Sequence, residues 1–187
     1  MNKKSWIIVL TGLLIILMIG AIMLYNLLTF RVSEETEPAS EQKEEVIVKA
    51  PDFKVYKENG EEFYFSSLSG KPILIYTWTT WDDQCEVELL FVENAWKKYG
   101  DKVDFMVINL TEGKYETVEK VKAYVESHGY TFPVYYDKDL NVQAFAYNVL
   151  DVPMTVLVEK NGMISEQWTD AITEEKLFEN IENLLGE

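Results

Sequence analysis

The side chain best suited to covalent chemistry in this sequence is a thiol, and there is one of them, Cys85. It closes the run Trp81-Asp82-Asp83-Gln84-Cys85, and Glu88 follows three residues later. Thiol–disulfide exchange needs one thiolate to attack and a second thiol to resolve the mixed disulfide. A chain with a single cysteine forms no internal disulfide, so turnover of that kind requires a thiol from another molecule. A cysteine that works alone wants an electropositive, partly exposed setting that lowers its pKa. Around Cys85 stand Asp82, Asp83, Glu86 and Glu88, with no basic residue between Lys71 and Lys97. Like charges oppose a thiolate, so the local sequence predicts a sluggish thiol. Two readings stay open: a buried, inert cysteine, or a monothiol that an external partner resolves.

The acidic residues have a plainer use. Asp82 or Asp83 can cap a helix that starts here, with Glu86 completing a capping box for Asp83. Asp82 could instead belong to a proton or ligand site, and Glu88 is expected to face a partly buried polar pocket. The lone His128 has no nearby cysteine or second histidine to pair with, so neither a metal site nor a cofactor is expected.

These residues need a scaffold, and the hydrophobic pattern supplies one. Phe53–Tyr56 and Glu62–Phe65 read as strands around the hairpin signal Asn59-Gly60. Ile73–Trp78 is a β-branched and aromatic run suited to a buried strand. A helix is expected from about Asp83 to Tyr99, then a strand over Val103–Leu110 and a helix over Glu116–His128 closed by Gly129. A short strand at Phe132–Tyr136 and a helix near Leu140–Tyr147 follow. Met154–Glu159 and Met163–Trp168 form a second hairpin about Asn161-Gly162, and Thr173 caps a closing helix that runs to Leu185. Strands alternating with helices predict an α/β fold, and the first β-α-β unit calls for a parallel, right-handed crossover.

Ahead of this domain lies a different kind of sequence. Trp6 to Phe30 carries no charge, a stretch of roughly 25 residues, enough to cross about 30 Å of hydrocarbon. Lys3 and Lys4 precede it and Glu34, Glu35 and Glu37 follow it, which puts the N-terminus in the cytoplasm and the rest outside. The run is too long for a cleaved signal peptide. The expected organisation is a cytoplasmic N-terminus (1–5), a transmembrane anchor (6–30), a flexible acidic linker (31–49) and one extracytoplasmic domain (50–187). With 32 acidic against 17 basic residues and a net charge of −15, the chain is not expected to bind nucleic acid.

Three local patterns resemble one family. Ala50-Pro51-Asp52-Phe53 with Leu68-Ser69-Gly70-Lys71-Pro72 is similar to the start of the domain in redoxins of the TlpA/ResA-like group. Ile75-Tyr76-Thr77-Trp78-Thr79-Thr80-Trp81 looks like their first core strand and active-site turn. Val152-Pro153-Met154-Thr155 looks like their cis-proline loop. Val107-Ile108 through Phe132-Pro133-Val134 is similar to their extra βα unit. The resemblance implies a thioredoxin-like fold: a central mixed sheet flanked by helices, an N-terminal hairpin, the extra βα unit, and here one N-terminal membrane helix. It also implies that Cys85 is the second cysteine of a Trp-Cys-x-x-Cys motif whose first, attacking cysteine is replaced by Asp82. Glu88 then matches a glutamate behind the cysteine pair, a candidate modulator of the thiol pKa, and Leu90 replaces the usual helix proline. A peroxidase pattern fails, because Trp78 and Asp82 stand where it wants proline and threonine or serine.

The resemblance places substrate contacts at Trp81, Val152 and Pro153, a surface that needs no cysteine. Two functions therefore remain: a module that binds extracytoplasmic client proteins, or a monothiol thiol–disulfide oxidoreductase using Cys85. A third is a structural subunit beside a membrane redox complex. For Pro153 itself, peptide contact and a purely structural turn stand equal.

Overall fold

The computed structural model describes residues 14–26, 48–68, 70–149 and 151–186. Residues 14–26 are helical (α1) with their apolar side chains exposed. Among the described residues no helix is long and apolar enough to cross a membrane. The expected cytoplasmic stretch 1–5, the ends of the anchor and nearly all of the linker lie outside the described residues.

The unit from residue 48 onward is built on a seven-stranded sheet. Its strands are β1 (Lys54–Tyr56), β2 (Glu62–Tyr64), β3 (Ile73–Trp78), β4 (Asp104–Asn109), β5 (Val134–Tyr136), β6 (Met154–Val158) and β7 (Ile164–Trp168). They lie in the order β2-β1-β5-β4-β3-β6-β7. The crossover from β3 to β4 is parallel, pairing Tyr76 with Val107, while β6 runs antiparallel on the other edge, pairing Tyr76 with Thr155. Central β3 is buried at all six positions, which is why it reads as an unbroken apolar run instead of an alternating one.

Alternation still decides which side each residue serves. Leu74, Tyr76 and Trp78 join one hydrophobic cluster, and Ile73 and Ile75 join the other. Helices α2 (Asp83–Tyr99), α3 (Val118–His128) and α4 (Glu174–Leu185) all contribute to the first. The second is closed by Phe53 and Phe65 of the N-terminal hairpin and by Val142 and Val149. On α2, Cys85, Leu89, Val92 and Tyr99 follow helical spacing and are buried together. Truncating Leu89 to Ala in such a stripe costs about 2–5 kcal/mol.

Local signals set the helix ends. α2 begins with Asp83 and Glu86 in its first turn and ends with Lys97 and Lys98 in its last, as the macrodipole favours. It stops at Gly100, where a Cβ would lie 2.6 Å from the Trp96 ring. Gly129 ends α3 in the left-handed region at φ 67°.

Three expectations need correction. The helix expected near Leu140–Tyr147 is a single π-helical turn, Asn141–Ala146. Its amides at Asn141, Val142 and Gln143 converge on the buried Asp137 carboxylate at 2.7, 3.0 and 3.0 Å. The helix expected from Glu116 starts at Val118, with Thr117 as N-cap. Of the two cap candidates it is Asp82 that caps α2, so no capping box forms at Asp83.

Candidate functional site

The turn after β3 brings the sequence-predicted residues to one end of the central strand and then separates them. Trp81 is 62% exposed. Asp82 is half-buried, and its Oδ1 accepts the Cys85 backbone N–H at 2.8 Å. That bond is the α2 cap, so it occupies the helix-end donor that would otherwise favour an anion nearby. Cys85 is fully buried and free, and Glu88, one turn along, is buried too.

Electrostatics agree with burial. Loss of solvent pushes the Cys85 thiol pKa well up, and Asp82 and Glu88 push it the same way; the Thr79 backbone N–H opposes them without prevailing. Burial also raises Glu88, although its Oε1 accepts from Gln84 Nε2 at 2.9 Å and from the Ile172 N–H at 3.0 Å. The second of these ties α2 to the loop before α4. Tyr76 lies against the same pair. Its pKa is raised by burial first and then by Cys85 and Glu88 beside it. Burial thus disfavours the charged forms of Cys85, Glu88 and Tyr76 together. Glu88, expected at a partly buried pocket, is 1% exposed and works as a buried acceptor between elements.

Over this region opens a cleft of about 240 Å³. Trp81 and Asp82 line one side, and Val149, Asp151 and Val152 come from the chain leading into β6. Thr79 and Leu110 lie between them, at the ends of β3 and β4, with Glu112 and Gln143 completing the wall. The Val152–Pro153 bond is cis. Pro153 is buried, and it is Val152 that reaches the cleft. So Trp81, Asp82 and Val152 share a surface, whereas Cys85 and Glu88 are buried and take no part in it. A larger, open depression of about 540 Å³ lies at the other end of β3, beside Lys71, Asp101 and Glu159, away from all of these groups.

The sequence reading missed Glu116, the residue that holds the turn after β3 in place. It is fully buried. Its Oε1 accepts from the Thr80 N–H at 2.5 Å and Asn109 Nδ2 at 2.7 Å, and its Oε2 from Thr80 Oγ1 at 2.6 Å and Lys120 Nζ at 3.1 Å. One carboxylate therefore joins the turn, the end of β4 and the first turn of α3. Glu93 does a similar job further along α2. It accepts from the Thr131 N–H and hydroxyl, both at 2.8 Å, and pairs with Lys97 at 3.0 Å. Burial opposes ionisation of Glu93, but those donors outweigh it and its pKa is lowered. His128 sits on the surface, stacked on Tyr124 with ring centroids 4.1 Å apart. Among the described residues no group of three His, Cys, Asp or Glu side chains is placed to hold a metal ion.

Comparison with known proteins agrees with this architecture. Residues 46–167 match the AhpC/TSA family. The chain is 30% identical over 185 residues to the thiol-disulfide oxidoreductase ResA of Geobacillus kaustophilus, covering 98% of this chain and 99% of that one. It is 26% identical over 180 residues to the thioredoxin-like protein YneN of Bacillus subtilis, covering 96% and 98%. The crystal structure of StoA from Bacillus subtilis superposes with a TM-score of 0.60 at 21% identity, over 70% of this chain and 96% of that one. With the sheet order, the cis-proline loop and the turn after β3 all in place, the chain belongs to the AhpC/TSA family and has the thioredoxin-like fold of its ResA-like thiol–disulfide oxidoreductases.

Proposed function

We propose that this chain is a membrane-anchored, extracytoplasmic thioredoxin-like protein that has given up dithiol turnover and binds client or partner proteins at the cleft between Trp81 and Val152. The observation that carries this reading is the split between a buried Cys85 with a raised pKa and an open cleft above it. A nucleophile must meet its substrate as a thiolate, and burial beside Asp82 and Glu88 works against both contact and ionisation. Recognition of an extended chain needs neither. The anchor rests on the uncharged run from Trp6 to Phe30, and the orientation on Lys3 and Lys4 before it.

Alkylation of Cys85 in the full-length chain tests the chemistry. We expect native Cys85 to react slower than urea-unfolded Cys85, on the order of a hundredfold, because reagent must wait for local opening. Fast native alkylation, or a client mixed disulfide abolished by Cys85→Ser, would establish the monothiol oxidoreductase instead. Protease added to intact cells tests the location: the domain should be digested from outside, and protection there would refute the proposed orientation.

A further inference from the structure

The cleft beside the turn after β3 is one-signed. Its charged residues are Asp82, Glu112 and Asp151, and none of its lining residues is basic. Acidic residues are common in this chain, so their presence alone decides nothing. The second observation is Thr79. It lines the same cleft, it is 4% exposed, and its hydroxyl oxygen has no hydrogen-bond partner. A buried hydroxyl left unpaired is costly, and Thr79 is the residue lining this cleft that carries one. Trp81 adds an exposed indole at the rim, the ring type that best holds a cation over its face.

We propose that this cleft is a subsite for a basic side chain, lysine or arginine, of an extended client peptide. The inference rests on the client-binding reading and names the chemistry that such a client must offer. Thr79 accepts one N–H at the floor, Asp82 and Asp151 balance the charge, and Trp81 covers the aliphatic stem. Glu112 contributes charge more than contact, because its carboxylate already accepts the backbone N–H groups of Lys114, Tyr115 and Glu116. Those bonds lower its pKa and keep it ionised. A bare metal ion is a poor fit, since the carboxylates do not gather into a cage. A side-chain cation spreads its donors over several acceptors and suits this spacing better.

The test is calorimetric titration of the full-length chain in detergent with three capped pentapeptides, acetyl-Ala-Val-Xaa-Val-Ala-amide, where Xaa is arginine, lysine or the neutral analogue citrulline. The arginine and lysine peptides should bind at least about tenfold tighter than the citrulline peptide, the scale of a single desolvated charge pair. Thr79→Val and the double variant Asp82→Asn/Asp151→Asn should each collapse that ratio. A control with the same charge change elsewhere, Glu126→Gln/Glu175→Gln, should keep it. Equal affinity for all three peptides overturns the basic-side-chain subsite and leaves client binding standing. A ratio lost equally in the distant control overturns it too, by assigning the preference to overall charge. If no peptide binds, client recognition at this cleft fails together with the subsite.

Discussion

The carboxylate of Asp82 accepts the backbone N–H of Cys85 at 2.8 Å, so the acid three residues before the lone thiol caps the helix that carries it. In a dithiol protein the first position uses the positive helix end to stabilise a thiolate. Here the helix end is taken by the Asp82 side chain, which caps it.

Asp82→Asn should leave stability nearly unchanged, because Asn is an equally good N-cap. Asp82→Ala should cost about 1 kcal/mol. Urea denaturation of the two variants checks this, and equal losses would mean that the charge, not the cap, is what the fold uses.

Asp82→Cys places a second thiol at the N-cap, three residues before Cys85 on the facing turn. An internal disulfide should form under mild oxidation, seen as loss of free thiol on titration with a chromogenic disulfide. Persistence of both thiols would show that burial of Cys85 keeps the pair outside bonding geometry.

Glu116→Ala should destabilise the domain by about 3 kcal/mol, since it leaves the Thr80 N–H and the buried Asn109 amide without an acceptor, while exposed Lys120 turns to water. Glu116→Gln should cost less, because it keeps an acceptor oxygen. Chemical denaturation gives both numbers. Peptide affinity should fall in parallel with stability, as the turn carrying Trp81 loosens.

Glu88 and Glu93 should respond to pH with opposite signs. Burial raises Glu88, so its contribution is full below the ordinary carboxylate value of 4.5 and is lost as pH rises through its folded pKa. Glu93 is lowered, so its contribution is present above 4.5 and is lost as pH falls through its folded pKa. Relative to the parent, Glu88→Gln should therefore gain stability as pH rises above 4.5, while Glu93→Gln should lose it as pH rises towards 4.5 from below. Thermal unfolding against pH resolves the two, and parallel slopes would refute the assignment.

Much of the scaffold is legible in the residues themselves. The six-residue run of β3, the Asn-Gly turns, the Thr173 cap and the Gly129 stop are local signals, each set by the conformational preference of a few neighbours. The absence of a second thiol is plainer still, because it is a count. The π-helical turn at Asn141–Ala146 escaped for the converse reason. Its amides are held by Asp137, a buried acid that in sequence looks like any of the 32 acidic residues.

The candidate site divides the same way. Sequence alone determined that Cys85 has no partner in its own chain and stands among acids. Only the tertiary structure decided that Cys85 and Glu88 are buried while Trp81, Asp82 and Val152 line the cleft. It also decided that Glu116 and Glu93 are internal struts, not members of an acidic surface. Their one legible signal is on α2, where Glu88 and Glu93 sit beside the apolar stripe of Leu89 and Val92. Burial of a charge depends on which donors arrive. Those of Glu93 at Thr131, 38 residues away, and of Glu116 at Thr80, 36 residues away, arrive only when the sheet has closed.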